Sequence, residues 1–263
     1  MIIVKIGGGA EINLQGIIQD LCQLKEKFII VHGANALRDK LAEDLGQPKK
    51  VVTSVSGYSS VFSDETMIDQ MMMSYAGARN KRIVEICHRY GINAVGLSGL
   101  DGKMIQGVRN KGIRVYQDNK LKILRDFSGK PEAVNKTFLD LLMDHGYVPV
   151  LTVPIIDEQN NAINTENDDV VRVLQKAMRA ETVINLIEAP GFLENKNDEG
   201  SLIEKIPAAE LEKREQQVDG RMKRKMLAVR KLFEEGASRV IFADGRKEHP
   251  VADALSGKGT VIE

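Results

Sequence analysis

An excess of charge is missing from this chain: 37 Lys and Arg balance 37 Asp and Glu over 263 residues, so no global field draws it to nucleic acid or a membrane surface. Any charge-based recognition must be local. Cysteine is scarce as well. Cys22 and Cys87 both fall in helix-like apolar patterns and read as free thiols, which excludes a disulfide framework and fits a reducing cytoplasm. No apolar run approaches the roughly 18 residues that a membrane span needs, and neither a charged leader nor an apolar signal core precedes the first strand. An unanchored, unexported protein is therefore expected. The four histidines lack metal-ligand spacing, and no repeat, low-complexity tract or flexible linker interrupts the sequence. What is present is 43% hydrophobic content, enough for a sizeable core in one large or two small domains.

Two lysine-centred motifs stand at opposite ends. Val4-Lys5-Ile6-Gly7-Gly8-Gly9 closes an apolar run that reads as a buried strand. Its glycines let the backbone approach an anion, and its lysine supplies a point charge, which is phosphate chemistry. Gly220-Arg221-Met222-Lys223-Arg224-Lys225 precedes the apolar-periodic stretch Met226 to Phe233, at a helix start where free N–H groups also favour anions. Taken singly, each has a plainer explanation. A lysine after a strand is usually solvated, Lys223 and Arg224 could be a basic surface, and Asp168 could simply complement a helix dipole. Met71-Met72-Met73 reads as core or subunit interface.

Strand-length apolar runs alternate with helical patterns, which implies parallel βαβ units. Strands are expected at Ile2 to Ile6, Phe28 to His32, Asn93 to Leu97, Tyr147 to Pro154, Thr182 to Ile187 and Arg239 to Ala243, with a closing β segment at Gly257 to Ile262. Helices are expected at Leu14 to Lys25, Ala36 to Asp44, Asn135 to Gly146, Asn167 to Ala180 and Val218 to Gly236. Ser63 is placed to cap a long helix ending at Tyr90. Gly112 to Phe127 reads as β-rich, with hairpin signals at Asp118-Asn119 and Ser128-Gly129, and Glu194 to Ser201 reads as a mobile excursion. The fold class is α/β: a single three-layer αβα sandwich with a mainly parallel central sheet and a soft boundary near Asp157.

The two lysine motifs occur in order with Val31-His32-Gly33, Gly96 to Gly102 and Asn164-Thr165-Glu166-Asn167-Asp168 over nearly the whole chain. The chain resembles the amino acid kinase family, in particular its N-acetylglutamate kinase branch. Within that branch it looks most like the LysW-aminoadipate kinases, on the evidence of Gly220 to Lys225, Val240 to Arg246, Ser256 to Val261 and Asp126 to Gly129. The resemblance implies ATP-dependent phosphorylation of a side-chain carboxylate on an amino-blocked acidic amino acid, with magnesium bridging ATP oxygens and no protein ligand nominated for it. It implies that Lys5 and Lys225 stabilise the transferring phosphoryl group and that Asp168 holds both ammonium groups. Gly7, Gly8, Gly9, Glu188, Gly191 and Met222 are then expected at ATP; Gly33, Ala34, Asn35 and Asn164 are expected at the acceptor. Residues 1–157 become the acceptor lobe and 158–263 the ATP lobe. A homodimer through the Asp64 to Tyr90 helix is also implied.

The pattern departs from the family in three places. The second glycine turn reads His32-Gly33-Ala34-Asn35, where relatives have more glycine. Glu188 stands where many relatives have aspartate. Gly57 to Asp64 lacks the arginine that grips the substrate's α-carboxylate, leaving Arg79, Lys81 or Arg109 as replacements. If the blocking group is a small acidic carrier protein, Arg221, Lys223 and Arg224 would form a basic rim for it; if it is acetyl, as in an N-acetylglutamate kinase, no rim is needed. Two further readings remain: an amino-acid or nucleotide sensor that lost turnover, and a kinase for a phosphorylated or non-amino-acid acceptor.

Overall fold

The computed structural model describes residues 1–55, 57, 59–117, 120–195, 197–217 and 220–263, without the side chains of 117, 217 and 220–225. Eight strands form the central sheet, numbered here along the chain: β1 (Ile2–Ile6), β2 (Phe28–His32), β3 (Ala94–Ser98), β4 (Val148–Thr152), β5 (Thr182–Ile187), β6 (Lys205–Ile206), β7 (Arg239–Asp244) and β8 (Thr260–Ile262). Their order is β6-β8-β7-β5-β1-β2-β4-β3, parallel except where β7 meets β8. Strand order reverses at β1, which pairs β2 on one side and β5 on the other. In such sheets ligands sit beyond the carboxyl ends of the strands at that reversal.

Period-two alternation sends β1 side chains to opposite faces. Ile2, Val4 and Ile6 join one core with Ile17, Ile18, Ile83, Ile86 and Val251; Ile3 joins the other with Met67, Tyr75, Val170 and Leu174. Helices α1 (Leu14–Leu21), α4 (Asn80–Arg89) and α9 (Pro250–Leu255) cover the first face. On the second lie α2 (Asn35–Asp44), α3 (Glu65–Met71), α5 (Lys136–Asp144), α6 (Asn167–Met178), α7 (Leu211–Gln217) and α8 (Gly220–Glu234). The three-layer α/β expectation is met. Lys5 shares the parity of Ile3 and faces α6; His32 shares that of Ile30 and faces α4.

One helical run changes layers. α3 packs Met67, Ile68 and Met71 into the second core, α4 packs Ile83, Ile86 and Cys87 into the first, and a π-helical segment, Met72–Arg79, joins them. Because π-bulges insert an extra residue into a helix and are frequent at functional sites, Met72–Arg79 is a natural place to look for active-site side chains. Cys22 and Cys87 are free thiols, and no helix among the described residues is long and apolar enough to cross a membrane.

Several local expectations are corrected. The first helix stops at Leu21 rather than Lys25. Asp64, not Ser63, caps α3 by accepting the Met67 N–H at 3.0 Å; Ser63 is buried instead. Ser128-Gly129 is no hairpin turn, because Gly129–Val134 runs antiparallel to Ile105–Arg109 in a separate small sheet. Asp118-Asn119 lies outside the described residues, although flanking strands Ile113–Gln117 and Lys120–Leu124 pair antiparallel.

Candidate active site

Two glycine turns meet at the carboxyl ends of β1 and β2. A Cβ on Gly8 would fall 2.6 Å from the Asn35 nitrogen and 2.8 Å from the Ala34 nitrogen, and one on Gly33 would fall 3.0 Å from the Gly8 nitrogen. Only glycine permits this approach. Not every N–H here is available to a ligand. Gly7 N–H is spent on Leu186 O at 2.8 Å and Gly33 N–H on Ile6 O at 2.9 Å, each extending the sheet by one rung. The N–H groups of Gly8, Gly9 and Asn35 make no backbone hydrogen bond among the described residues, a concave array of the kind that binds anions, while that of Ala34 is directed at the Tyr75 phenol oxygen.

Lys5 lies just before this array on β1. Its Nζ pairs with Asp168 Oδ1 at 3.1 Å, with side-chain exposures of 15% and 38%. Register places Lys5 beside Asn185 of β5, and Asp168 stands in the first turn of α6. Asp168 and Asn185 border a small cavity with Ala228, Val229 and Leu232 of α8. Lys225 and Met222 lie in the first turns of that helix. Their side chains, and the proposed rim of Arg221, Lys223 and Arg224, fall outside the described residues.

The second turn is held from behind. Burial drives the His32 pKa down to about 3, so the ring is neutral. Its Nδ1–H then donates to Gly33 O at 3.3 Å, and its Nε2 accepts from Asn80 Nδ2 at 3.1 Å. Asn80 also donates to Val150 O, and Thr152 Oγ1 donates to His32 O. Tyr75, whose phenol burial pushes up to about 12, donates to Asn35 Oδ1. Sequence reasoning missed Tyr75 and Asn80. Their signal, polar groups recurring inside an apolar helix, is shared by many surface helices.

On the first turn, Glu188 folds its carboxylate over Gly9 and accepts the Glu11 N–H at 2.7 Å. Gly191 packs against Thr260, whose hydroxyl accepts the Phe192 N–H. The three replacement cations separate cleanly. Lys81 Nζ is tied to Gly96 O at 2.9 Å. Arg79 lies close enough to His32 and Glu188 to act on both electrostatically; its Nε and Nη2 are buried with no hydrogen-bond partner, and burial lowers its pKa against the pull of Glu188. Arg109 stacks on Phe127 at 4.0 Å while its Nε donates to Asp126 O. It therefore stands beside Asn164, whose N–H donates to Phe127 O at 2.7 Å and whose Nδ2 donates to the displaced cap residue, Ser63, at 3.0 Å.

Abutting glycine turns above a lysine held by a carboxylate, at the reversal point of a parallel sheet, belong to α/β enzymes that transfer phosphoryl groups. The chain belongs to the amino acid kinase family, which it matches over residues 1–244. It is 41% identical to a [LysW]-aminoadipate kinase of Thermus thermophilus over the full length of both chains, and 41% identical to one of Deinococcus radiodurans, covering all of this chain and 91% of that one. An acetylglutamate kinase of Archaeoglobus fulgidus is 32% identical, covering 99% of this chain and 92% of the relative. Among solved structures, N-acetylglutamate synthase of Neisseria gonorrhoeae superposes with a TM-score of 0.78 at 20% identity, over 99% of this chain and 58% of that one. Giardia carbamate kinase gives 0.63 at 14%, covering 99% and 97%. At those identities the structures speak to fold alone. The chain is a kinase.

Proposed function

We propose that this kinase phosphorylates the side-chain carboxylate of 2-aminoadipate carried on a LysW-type carrier protein, giving an acyl phosphate in lysine biosynthesis. The observation that carries the reading is the Lys5–Asp168 pair beneath a turn array with three backbone N–H groups, of Gly8, Gly9 and Asn35, outside the backbone ladder, in a chain alike over its full length to kinases of that name.

In the reaction a carboxylate oxygen attacks the γ-phosphorus of ATP, a new O–P bond forms, and the bond to the bridging oxygen breaks, releasing ADP. Two anions must be brought together, so the protein's task is positioning and charge neutralisation. Lys5, oriented by Asp168, supplies one cation beside the transferring group, and Lys225 supplies the second. Gly8 and Gly9 donate N–H groups to the phosphates. Asn35, braced by Tyr75 and by the His32-supported turn through Ala34, donates on the acceptor side with Asn164. Arg109 takes the carboxylate that the missing arginine would have held, because it stacks on Phe127, the residue whose carbonyl accepts the Asn164 N–H.

Among the described residues there is no group of three or more His, Cys, Asp or Glu able to hold a metal, and Asp168 is engaged by Lys5; magnesium bridging ATP oxygens would be held chiefly by the nucleotide. Residues 1–157 as acceptor lobe, 158–263 as ATP lobe with Glu188, Gly191 and Met222 at the nucleotide, a cytoplasmic location, and a homodimer through the 64–90 helical run complete the proposal.

N-acetylglutamate is the second acceptor, favoured by the 32% identical acetylglutamate kinase. ATP turnover with carrier-linked 2-aminoadipate, N-acetyl-2-aminoadipate and N-acetylglutamate separates the two. The proposal expects the carrier-linked substrate to have the highest kcat/KM; turnover of N-acetylglutamate alone overturns it.

A further inference from the structure

The antiparallel ribbon formed by Ile113–Gln117 and Lys120–Leu124 is absorbed by neither the nucleotide site nor the core. Its register pairs Arg114 with Ile123 and Tyr116 with Leu121, which by strand alternation share one face. That face is open: Tyr116 is 71% exposed, Leu121 58% and Ile123 61%, and Arg114 is exposed beside them. The opposite face turns inward, with Val115 5% exposed. Single exposed apolar residues are ordinary, but a contiguous aromatic and aliphatic set on one face marks a contact surface. Tyr and Arg are also the residue types that anchor interfaces.

Charge gives the second indication. From Arg109 to Lys130 the chain carries seven Lys or Arg against two Asp, in a protein whose total charge is balanced. One of those aspartates, Asp126, is buried and engaged with Ser63 and Ser128. The ribbon is thus a basic and apolar patch in a chain whose remaining residues are net acidic, 30 Lys and Arg against 35 Asp and Glu.

Continuity with the acceptor site is the third. The ribbon runs directly into Asp126 and Phe127, which are stitched to Ser63 and Asn164: Ser63 N–H donates to Asp126, Phe127 N–H to Ser63 O at 2.7 Å, and Gly129 N–H to Asn164 O at 2.9 Å. Val55 N–H donates to Arg114 O at 2.8 Å and ties the ribbon to the hairpin of Val51–Thr53 and Ser59–Val61. A protein bound to the ribbon would hold its attached amino acid beside Asn164 and Arg109.

We infer that the outer face of the 113–124 ribbon docks the acidic carrier protein that presents the amino acid, with Tyr116, Leu121 and Ile123 forming the apolar contact and the surrounding lysines and arginines steering the approach. The inference rests on the carrier-linked reading of the acceptor, and it moves the docking surface from the Gly220–Lys225 helix start to the ribbon.

Two double variants of the whole enzyme test it, Tyr116→Ser with Leu121→Ser and Arg114→Glu with Lys120→Glu, assayed with carrier-linked 2-aminoadipate at saturating ATP. Each is expected to raise KM for the carrier-linked substrate at least tenfold while kcat and KM for ATP stay at wild-type values, and the wild-type KM should rise with salt. Unchanged KM in both variants, in an enzyme whose wild type turns over the carrier-linked substrate, overturns the docking surface and leaves the proposed function standing. A wild type inert toward the carrier-linked substrate overturns the proposed function and this inference together. Dissociation of a homodimer by the apolar variant, read by sedimentation, assigns the face to a second copy of the chain and also overturns it.

Discussion

Asn80 donates its amide to His32 Nε2 across 3.1 Å, inside the protein and away from water, so the ring that supports Gly33 is fixed as the neutral Nδ1–H tautomer. Because the folded pKa of about 3 lies below the ordinary imidazole value of 6.5, the unfolded chain binds the extra proton between those pH values. Stability from this group is complete above pH 6.5 and is lost as pH falls toward 3, by on the order of 4 kcal/mol. Urea unfolding of wild type and His32→Gln across pH 4–7 should show a shallower pH slope for the variant. His249, whose pKa Asp20 raises, acts with opposite sign but is common to both proteins and cancels. Equal slopes would contradict a buried neutral His32.

The glycines of the first turn should not respond alike. A methyl on Gly8 meets backbone nitrogens at 2.6 and 2.8 Å, whereas one on Gly9 meets only the Glu188 carboxylate, the end of a flexible side chain. Gly8→Ala should lose at least 100-fold in kcat/KM and about 1–3 kcal/mol of stability. Gly9→Ala should lose less than tenfold. Steady-state kinetics with thermal melts checks the order.

Arg79 carries a cost in the free protein, since two of its guanidinium nitrogens are buried without a hydrogen-bond partner. Arg79→Met should raise stability by about 1–2 kcal/mol while lowering kcat/KM, the trade expected of a cation kept for an anionic ligand. A variant both less stable and fully active would remove Arg79 from the site.

Arg109 should behave differently. Arg109→Lys keeps the charge but loses the planar fork, so KM for the acceptor should rise about tenfold with KM for ATP unchanged. Equal effects on both substrates would deny it the carboxylate.

Much of the scaffold was readable in advance. β1, β2 and β5 have the limits their apolar runs predict, because strands buried on both faces need near-continuous Val and Ile. The small sheet was hidden: Gly107 and Pro131 interrupt the apolar pattern of Ile105–Arg109 and Gly129–Val134, and the two strands pair across a register shift beside them. Ser63 and Asp64 both suit a cap, and only the tertiary pull of Asp126 and Asn164 on Ser63 decides between them. The π segment has no periodic signature, so Tyr75 and Asn80 could not be tied to the glycine turn beforehand. Lys5 with Asp168 was legible only through the family resemblance, since the two lie far apart in the sequence.

That pair stands at the centre of the proposed chemistry. Single-turnover phosphoryl transfer from ATP to carrier-linked 2-aminoadipate, measured with Lys5→Met and Asp168→Asn, isolates the chemical step from binding. Lys5→Met is expected to slow the step at least 1,000-fold and Asp168→Asn about 100-fold, with ATP affinity changed less than tenfold in each. Transfer at the wild-type rate in Lys5→Met would contradict that chemistry.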